Sequence, residues 1–328
     1  MGVVATIDLR SVEQRAILAH RYTLQQLIAE RPCGRLSRAE DAVSDDDVYV
    51  LMLSSSFSNP QARAALERLA SPDGLPVLDH PCIRAMQVVS EDEGGVSVVY
   101  ASEGDSLLSE QLEQRPPLDN WLAARALVLE VGEALAHAHD RGWIHGALSP
   151  ASITLSPSDP RRPQIHVHDI GLAGIAESAG DPHLAQWRAR SPYTAPELLA
   201  GGRAHPRADI YALGMLLWEL AAGRAAFNVS DLPLIDAERR RGTLAHSDCP
   251  PELEAVLDLA LAPDPSERFA DIHEFVDTLR ALADPDDSKL TQLRSGLLTP
   301  GLLASLSRLD SPSLRQVQRH IDALLARG

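Results

Sequence analysis

The 328-residue sequence predicts an α+β protein of two unequal parts, a small strand-rich one and then a larger helical one, followed by a helical extension. Three observations predict it. Val48-Tyr-Val-Leu-Met-Leu53 and Gly95 to Tyr100 are short runs rich in β-branched and aromatic residues, which read as buried strands. From Leu118 onward, apolar residues recur every three or four positions, the period of a helix face. Ala283-Asp-Pro-Asp-Asp-Ser288 is an acidic, proline-containing linker. The limits that follow are an arm at 1–20, a two-part domain at 21–282, the linker at 283–288 and a helical tail at 289–328.

In chain order, Ser11-Val-Glu-Gln14 has the pattern of a capping box ahead of an apolar helical segment. Between Tyr22 and Tyr100 the pattern is mixed, with a helix expected from Pro60 to Leu69 and an acidic turn at Asp41 to Asp47. Asn120 caps a helix through Leu122, Ala126, Leu129, Gly132 and Leu135 that ends at Arg141-Gly142. Strands at Ile153–Leu155 and Ile165–Val167 come next. A buried helix from Asp209 to Ala222 is stopped by Gly223, and helices follow at Pro251–Ala260 and Asp271–Leu282. In the tail, Leu297, Leu298, Leu302, Leu303, Leu306 and Leu309 form one apolar set, and Leu314, Val317, Ile321, Leu324 and Leu325 a second.

Composition narrows the function. Hydrophobic residues at 45% and charged ones at 23% are ordinary for a globular chain. With 30 basic against 46 acidic residues the net charge is −16, which argues against a nucleic-acid footprint and against docking on anionic membrane. The longest apolar stretch, Tyr211 to Trp218, is far short of a membrane span, and no secretory leader pattern is seen, so a cytoplasmic location is expected. Cys33, Cys82 and Cys249 form no CxxC and suggest neither disulfides nor zinc. Of the 30 basic residues 29 are arginine, and the single lysine is Lys289. Any mechanism that needs a lysine before residue 289, a P-loop included, is thereby excluded.

The most specific signal lies between 143 and 268. Trp143-Ile-His-Gly-Ala-Leu-Ser-Pro-Ala-Ser-Ile-Thr-Leu155 resembles the catalytic loop of bacterial serine/threonine protein kinases, which usually reads HRDLKPxNI. His168-Asp-Ile-Gly-Leu-Ala173 is similar to that family's DFG segment, and Ser191-Pro-Tyr-Thr-Ala-Pro-Glu197 to its APE segment. Asp209-Ile-Tyr-Ala-Leu-Gly214 resembles the helix that anchors the larger lobe. Asp264-Pro-Ser-Glu-Arg268 resembles the motif whose arginine pairs with the APE glutamate. The resemblance implies a bilobal protein kinase-like fold over about 21–282, with a small β-rich N-lobe and a larger helical C-lobe.

The departures sit at the chemical positions. By resemblance, Ala147 stands where the family has its catalytic aspartate, Ser149 where it has a phosphate-contacting lysine, and Ser152 where it has a metal-binding asparagine. Leu51 stands at the VAIK lysine, whose glutamate partner corresponds to Glu67. The segment Ala29 to Ser37 stands in place of the GxGxxG loop with one glycine and a proline, and the cleft is either left open or filled by Leu51 with Arg or Leu residues of that segment. No catalytic residue is expected. Asp169 is the one residual metal and cofactor position, and it could equally serve as a carboxylate capping local backbone. His145, Gly171, Glu197, Asp209 and Arg268 are expected to be structural, and Gly146 replaces an arginine that would receive an activation-loop phosphate.

Other patterns are weaker. His137 and His139 diverge on a helix, while His166 and His168 share a strand face beside Asp169, where a metal is conceivable. Arg239-Arg-Arg241 reads as a solvated basic turn, and Met1-Gly-Val-Val-Ala-Thr6 matches a myristoylation pattern. The resulting expectation is a pseudokinase, not an enzyme and without a cofactor, that scaffolds or regulates a protein partner such as an active kinase or another signalling enzyme. The alternative is a nucleotide-binding enzyme with rewired transferase chemistry through Asp169 and a metal.

Overall fold

A computed structural model describes residues 17–70, 78–90, 95–102, 105–114, 121–156, 164–224 and 251–282. The expected Ser11–Gln14 capping box, Asn120 cap, Arg239–Arg241 turn, linker and tail lie outside the described residues, as do Cys249 and the myristoylation pattern.

The strand-rich part is one antiparallel sheet. Its strands are β1 (Ile17–Leu18), β2 (Tyr22–Arg31), β3 (Gly34–Asp41), β4 (Asp46–Leu53), β5 (Gln87–Ser90) and β6 (Val96–Ala101), in the order β1-β2-β3-β4-β6-β5. β1 lies within the stretch read as an arm. β2 shifts register between Leu24 and Gln26 and again between Leu27 and Ala29. Such bulges bend a strand and break its alternation, which is why 22–41 read only as a mixed pattern. Successive residues of β4 and β6 point to opposite faces. Tyr49, Leu51, Val98 and Tyr100 join the main core, while Val48, Val50 and Val99 pack with Tyr22 and Ala39 on the other face.

The β2–β3 hairpin closes with Arg31 paired to Gly34. A Cβ at Gly34 would stand 2.0 Å from the Met52 carbonyl oxygen, so only glycine lets β3 begin this close to β4. Helix α1 (Pro60–Ala70), capped by Asn59 Oδ1 accepting from the Gln61 amide at 2.9 Å, buries Ala62, Leu66 and Leu69 under the sheet.

The helical part is built around α3 (Trp121–His139) and α7 (Pro206–Ala222), with α2 (Leu108–Gln114), α4 (Leu172–Ser178), α5 (Pro182–Arg190), α6 (Pro196–Leu199), α8 (Pro251–Ala260) and α9 (Ile272–Ala281) around them. α7 is buried on all sides over most of its length, as a helix apolar all round must be. It ends at Gly223, whose φ of 65° is the left-handed stop expected of that glycine. A small sheet of β7 (Ser106–Leu107), β8 (Ile153–Ser156) and β9 (Gln164–Val167) lies at the junction of the two parts. A parallel bridge between Ile83 and Val167 ties it to the first part. No helix among the described residues is long and apolar enough to cross a membrane.

Candidate functional site

The loop 143–152 is shaped from below by α7. Asp209 is buried and accepts the backbone amides of His145 at 2.8 Å and Gly146 at 2.7 Å, and His139 Nε2 meets its Oδ2 at 2.8 Å. Burial alone would raise the Asp209 pKa. The His139 contact and the backbone bond from Gly146 outweigh burial and leave it below the usual carboxylate range. His139 thus has a partner that the pattern of diverging histidines did not reveal.

Gly146 has φ +69°, and a Cβ there would lie 2.9 Å from the Ala204 Cβ. Arg188 Nη2 donates to its carbonyl at 3.2 Å and to Glu177 Oε2 at 3.1 Å, and Glu177 also accepts the Ala204 amide at 3.1 Å. A buried arginine of α5 therefore stands beside the position where the resemblance places one in the loop. Arg268 is fully buried and meets both Glu197 oxygens at 2.8 Å. Gly171 has φ +85°, and a side chain there would strike Leu69 and Trp143.

At the chemical positions, Leu51 is wholly buried in the core. Glu67 points to solvent and pairs with Arg63 at 3.5 Å, so it does not enter the cleft. Ala147 is buried. Ser152 Oγ donates to the Ser149 carbonyl at 2.8 Å and accepts the Ser149 amide at 3.1 Å, which commits that hydroxyl to the turn.

Asp169, just beyond β9, stands at φ +65°, an uncommon conformation for a residue with a side chain. Its Oδ1 accepts the Tyr100 hydroxyl at 2.7 Å, and its Oδ2 lies 3.2 Å from Nη1 of Arg31, which enters the cleft from the end of β2. The rings of Tyr49 and Tyr100 stand edge-on to His168, with centroids 6.4 and 4.8 Å away. Behind them, Arg84 pairs with Asp105 at 2.7 Å and with His166 Nδ1 at 2.8 Å. Thr154 donates to Asp105 and meets His168 Nε2 at 2.8 Å. His166 and His168 are thus committed to Arg84 and Thr154. Among the described residues no group of three or more His, Cys, Asp or Glu is placed to hold a metal.

Burial holds His145 below the ordinary histidine range and His168 well below it, so both are neutral in the fold. His80 and His137 shift the same way, again chiefly through burial. In the unfolded chain each takes a proton near pH 6.5. The stability these groups contribute is complete above that pH and is lost as pH falls below it, because only the unfolded state gains protons there. Urea midpoints are therefore expected to be lower at about pH 5.5 than at about pH 7.5, and His168→Gln should flatten the dependence.

A second, open feature faces the other side of the loop. A groove of about 710 Å³ runs between α2, Ala151, α5 and α7, with Trp187 and Pro192 among its apolar walls, Glu30, Glu113 and Glu219 as its acids and Arg190 and His183 as its basic side chains. Tyr193 donates its hydroxyl to Glu219, whose own pKa burial raises.

Comparison with known proteins places this geometry. Residues 74–278 match the protein kinase domain. The chain belongs to the protein kinase family. Serine/threonine-protein kinase PrkC of Bacillus subtilis is 25% identical over 274 residues, covering 82% of this chain and 41% of that protein. PknA of Mycobacterium tuberculosis is 26% identical over 278 residues, covering 81% of this chain and 62% of its own length. The chain thus spans about half the length of these relatives. The PknI kinase domain of Mycobacterium tuberculosis has the same fold, with a TM-score of 0.57 at 24% identity over 82% of this chain and 98% of that one.

The sheet of β1–β6 is the N-lobe, and the helical part is the C-lobe. The expectation that the chain is not an enzyme is corrected by these matches, which point to a protein kinase enzyme. That expectation weighed Leu51, Ala147, Ser149 and Ser152 together with the single-glycine segment Ala29 to Ser37, whereas the family match covers residues 74–278. A fold can also supply charge to its site from elsewhere in the chain. Arg31 and Arg188 are such contributors, while Tyr49 and Tyr100 add packing and hydrogen bonds without charge.

Proposed function

We propose that this protein kinase-family chain serves cytoplasmic signalling by holding a segment of a protein partner, an active kinase or another signalling enzyme, in the acidic groove between α2, α5 and α7. The observation that carries this reading is the contrast between the two faces of the loop 143–152. The inner face is packed with Arg31, Tyr49, Tyr100 and His168, while the outer groove is open, lined by apolar walls and edged by three acids, Glu30, Glu113 and Glu219, against Arg190 and His183. Acidic edges around apolar walls suit an extended segment carrying arginine or lysine. Nucleic acid and membrane remain outside the reading, given the net charge of −16.

Trp187 lines the groove and gives the experiment its readout. Titration with an arginine-containing peptide is expected to change tryptophan fluorescence, with binding that weakens as salt is added. Glu113→Arg should weaken it about tenfold, the loss of one well-placed charge contact. Equal binding of acidic and basic peptides, or no effect of Glu113→Arg, would sink the proposal.

A second reading is favoured by one observation, the left-handed backbone of Asp169, since such strain gathers at functional sites. It is a nucleotide-using transferase that works through Asp169 and a metal. Metal-dependent turnover that Asp169→Ala abolishes would establish it, and turnover untouched by that substitution would dismiss it.

A further inference from the structure

The protein kinase family works on a metal-bound nucleoside triphosphate, and the interior around Asp169 does not fit that group in this conformation. Leu51 and Ala147, both buried, offer a metal or a phosphate no polar side-chain atom. The Ser152 hydroxyl is committed to its own turn. The carboxylate of Asp169 is already met from inside the chain.

From that misfit we propose that Arg31 is the resident counter-cation of Asp169, taking in cis the place of a divalent metal, so that this cleft is stable with neither metal nor nucleotide. Both side chains are buried, at 1% and 5% exposure, and the charge of a buried carboxylate must be met by a nearby cation. Of the other charged or titratable neighbours, Cys33 is a buried thiol held neutral by burial, and the rest are engaged or neutral. Arg84 is held by Asp105 and His166, His145 and His168 are neutral, and Tyr100 supplies a hydrogen bond without charge. A divalent metal asks for about six oxygen ligands, and while Tyr100 and Arg31 hold Asp169 neither of its oxygens is free to be one.

The chain also fixes where Arg31 stands. Its carbonyl meets His183 Nε2 at 3.0 Å, the Cys33 carbonyl accepts the Ser54 amide at 2.8 Å, and Gly34 lies against Met52. The guanidinium is thereby aimed inward before any ligand arrives. The contact is chiefly charge against charge. Arg31 Nε and Nη1 and Asp169 Oδ2 make no hydrogen bond among the described residues, so the pair at 3.2 Å is not a locked two-pronged fork.

The inference is independent of the groove reading, because peptide binding at Glu113 and Trp187 should be intact in the Arg31 variants. Thermal melts of the full chain with and without millimolar MnCl2 or MgCl2 test it. The unsubstituted protein should melt at one temperature regardless of metal. Arg31→Met should melt lower and recover in part with manganese, whereas Arg31→Lys, which keeps the charge, should show no metal response. The double variant Arg31→Met with Asp169→Asn should melt no lower than Arg31→Met alone and ignore metal. An unchanged melting temperature in Arg31→Met, or a metal shift in the unsubstituted protein as large as in that variant, would overturn the proposal. If Arg31→Met does not fold, the double variant decides: its folding supports the pair, and its failure to fold refutes it.

Discussion

Asp209→Ala is expected to destabilise the protein by about 3–5 kcal/mol, the usual loss when one partner is removed from a buried charged network. Three partners are stranded at once. The amides of His145 and Gly146 lose their acceptor inside the fold, and His139 loses the carboxylate 2.8 Å from its ring. Each buried donor left without an acceptor adds its own desolvation cost, about 1–3 kcal/mol. For a chain of this size each kcal/mol moves the melting temperature by about 2–4 °C, so a fall of roughly 10 °C is anticipated in a thermal scan. Asp209→Asn keeps the shape and one acceptor oxygen and should fall between the two. Because the folded pKa is depressed, the contribution of this carboxylate is complete above the unfolded value near 3.9 and is lost as pH falls through the folded one. Asp209→Ala should therefore lose the part of the acid sensitivity that lies below about pH 4. An alanine variant with an unchanged melting temperature would contradict this account of the loop.

Arg268→Met carries a similar expected cost, about 3–5 kcal/mol, for a different reason. The guanidinium is fully buried and spends its donors on five acceptors. These are both oxygens of Glu197 at 2.8 Å, the Ala262 carbonyl at 2.8 Å, the Arg207 carbonyl at 3.0 Å and the Pro263 carbonyl at 3.2 Å. It also stands 4.9 Å from the centre of the Tyr211 ring. Methionine matches the length and supplies no donor. Lysine has a single ammonium and cannot span a bidentate carboxylate and three carbonyls, so Arg268→Lys should recover little. Restoring neutrality with Glu197→Gln beside Arg268→Met should return part of the loss, and a double-mutant cycle in urea measures how much. Full stability in Arg268→Lys would show that charge alone matters here.

The helices and short strands of the larger lobe were legible because their cues are local. The glycine at 223 stops α7, a proline opens α8, and the apolar period through α3 persists for five turns. The kinase motifs marked Asp169, Glu197, Asp209 and Arg268 for the same reason, since each sits in a short, ordered string of residues. The β2–β3 hairpin was not legible, because two bulges erase the alternation that announces a strand. Neither were α4 and α5, which are short and draw their stability from packing on α1 and on the loop below. The segment Ala29 to Ser37 could send an arginine or leucine into the cleft, but no local cue said that Arg31 would be the one or that Asp169 would be its partner. Glu67 shows the opposite error: its placement beside the cleft followed from a family pattern, while the turn of α1 sends it to solvent.

The hairpin at 31–34 has a mechanical consequence. The two lobes are tied together by the Ile83–Val167 bridge and by Arg84 with Asp105 and His166. In addition, His183 grips the Arg31 carbonyl, and Ser54 donates its hydroxyl to Asp181, the residue that caps α5. Those contacts form a clasp. Any opening must first undo the hold of α5 on both the hairpin and the turn after β4. Separating the lobes there therefore means lifting the hairpin and the turn after β4 away from α5.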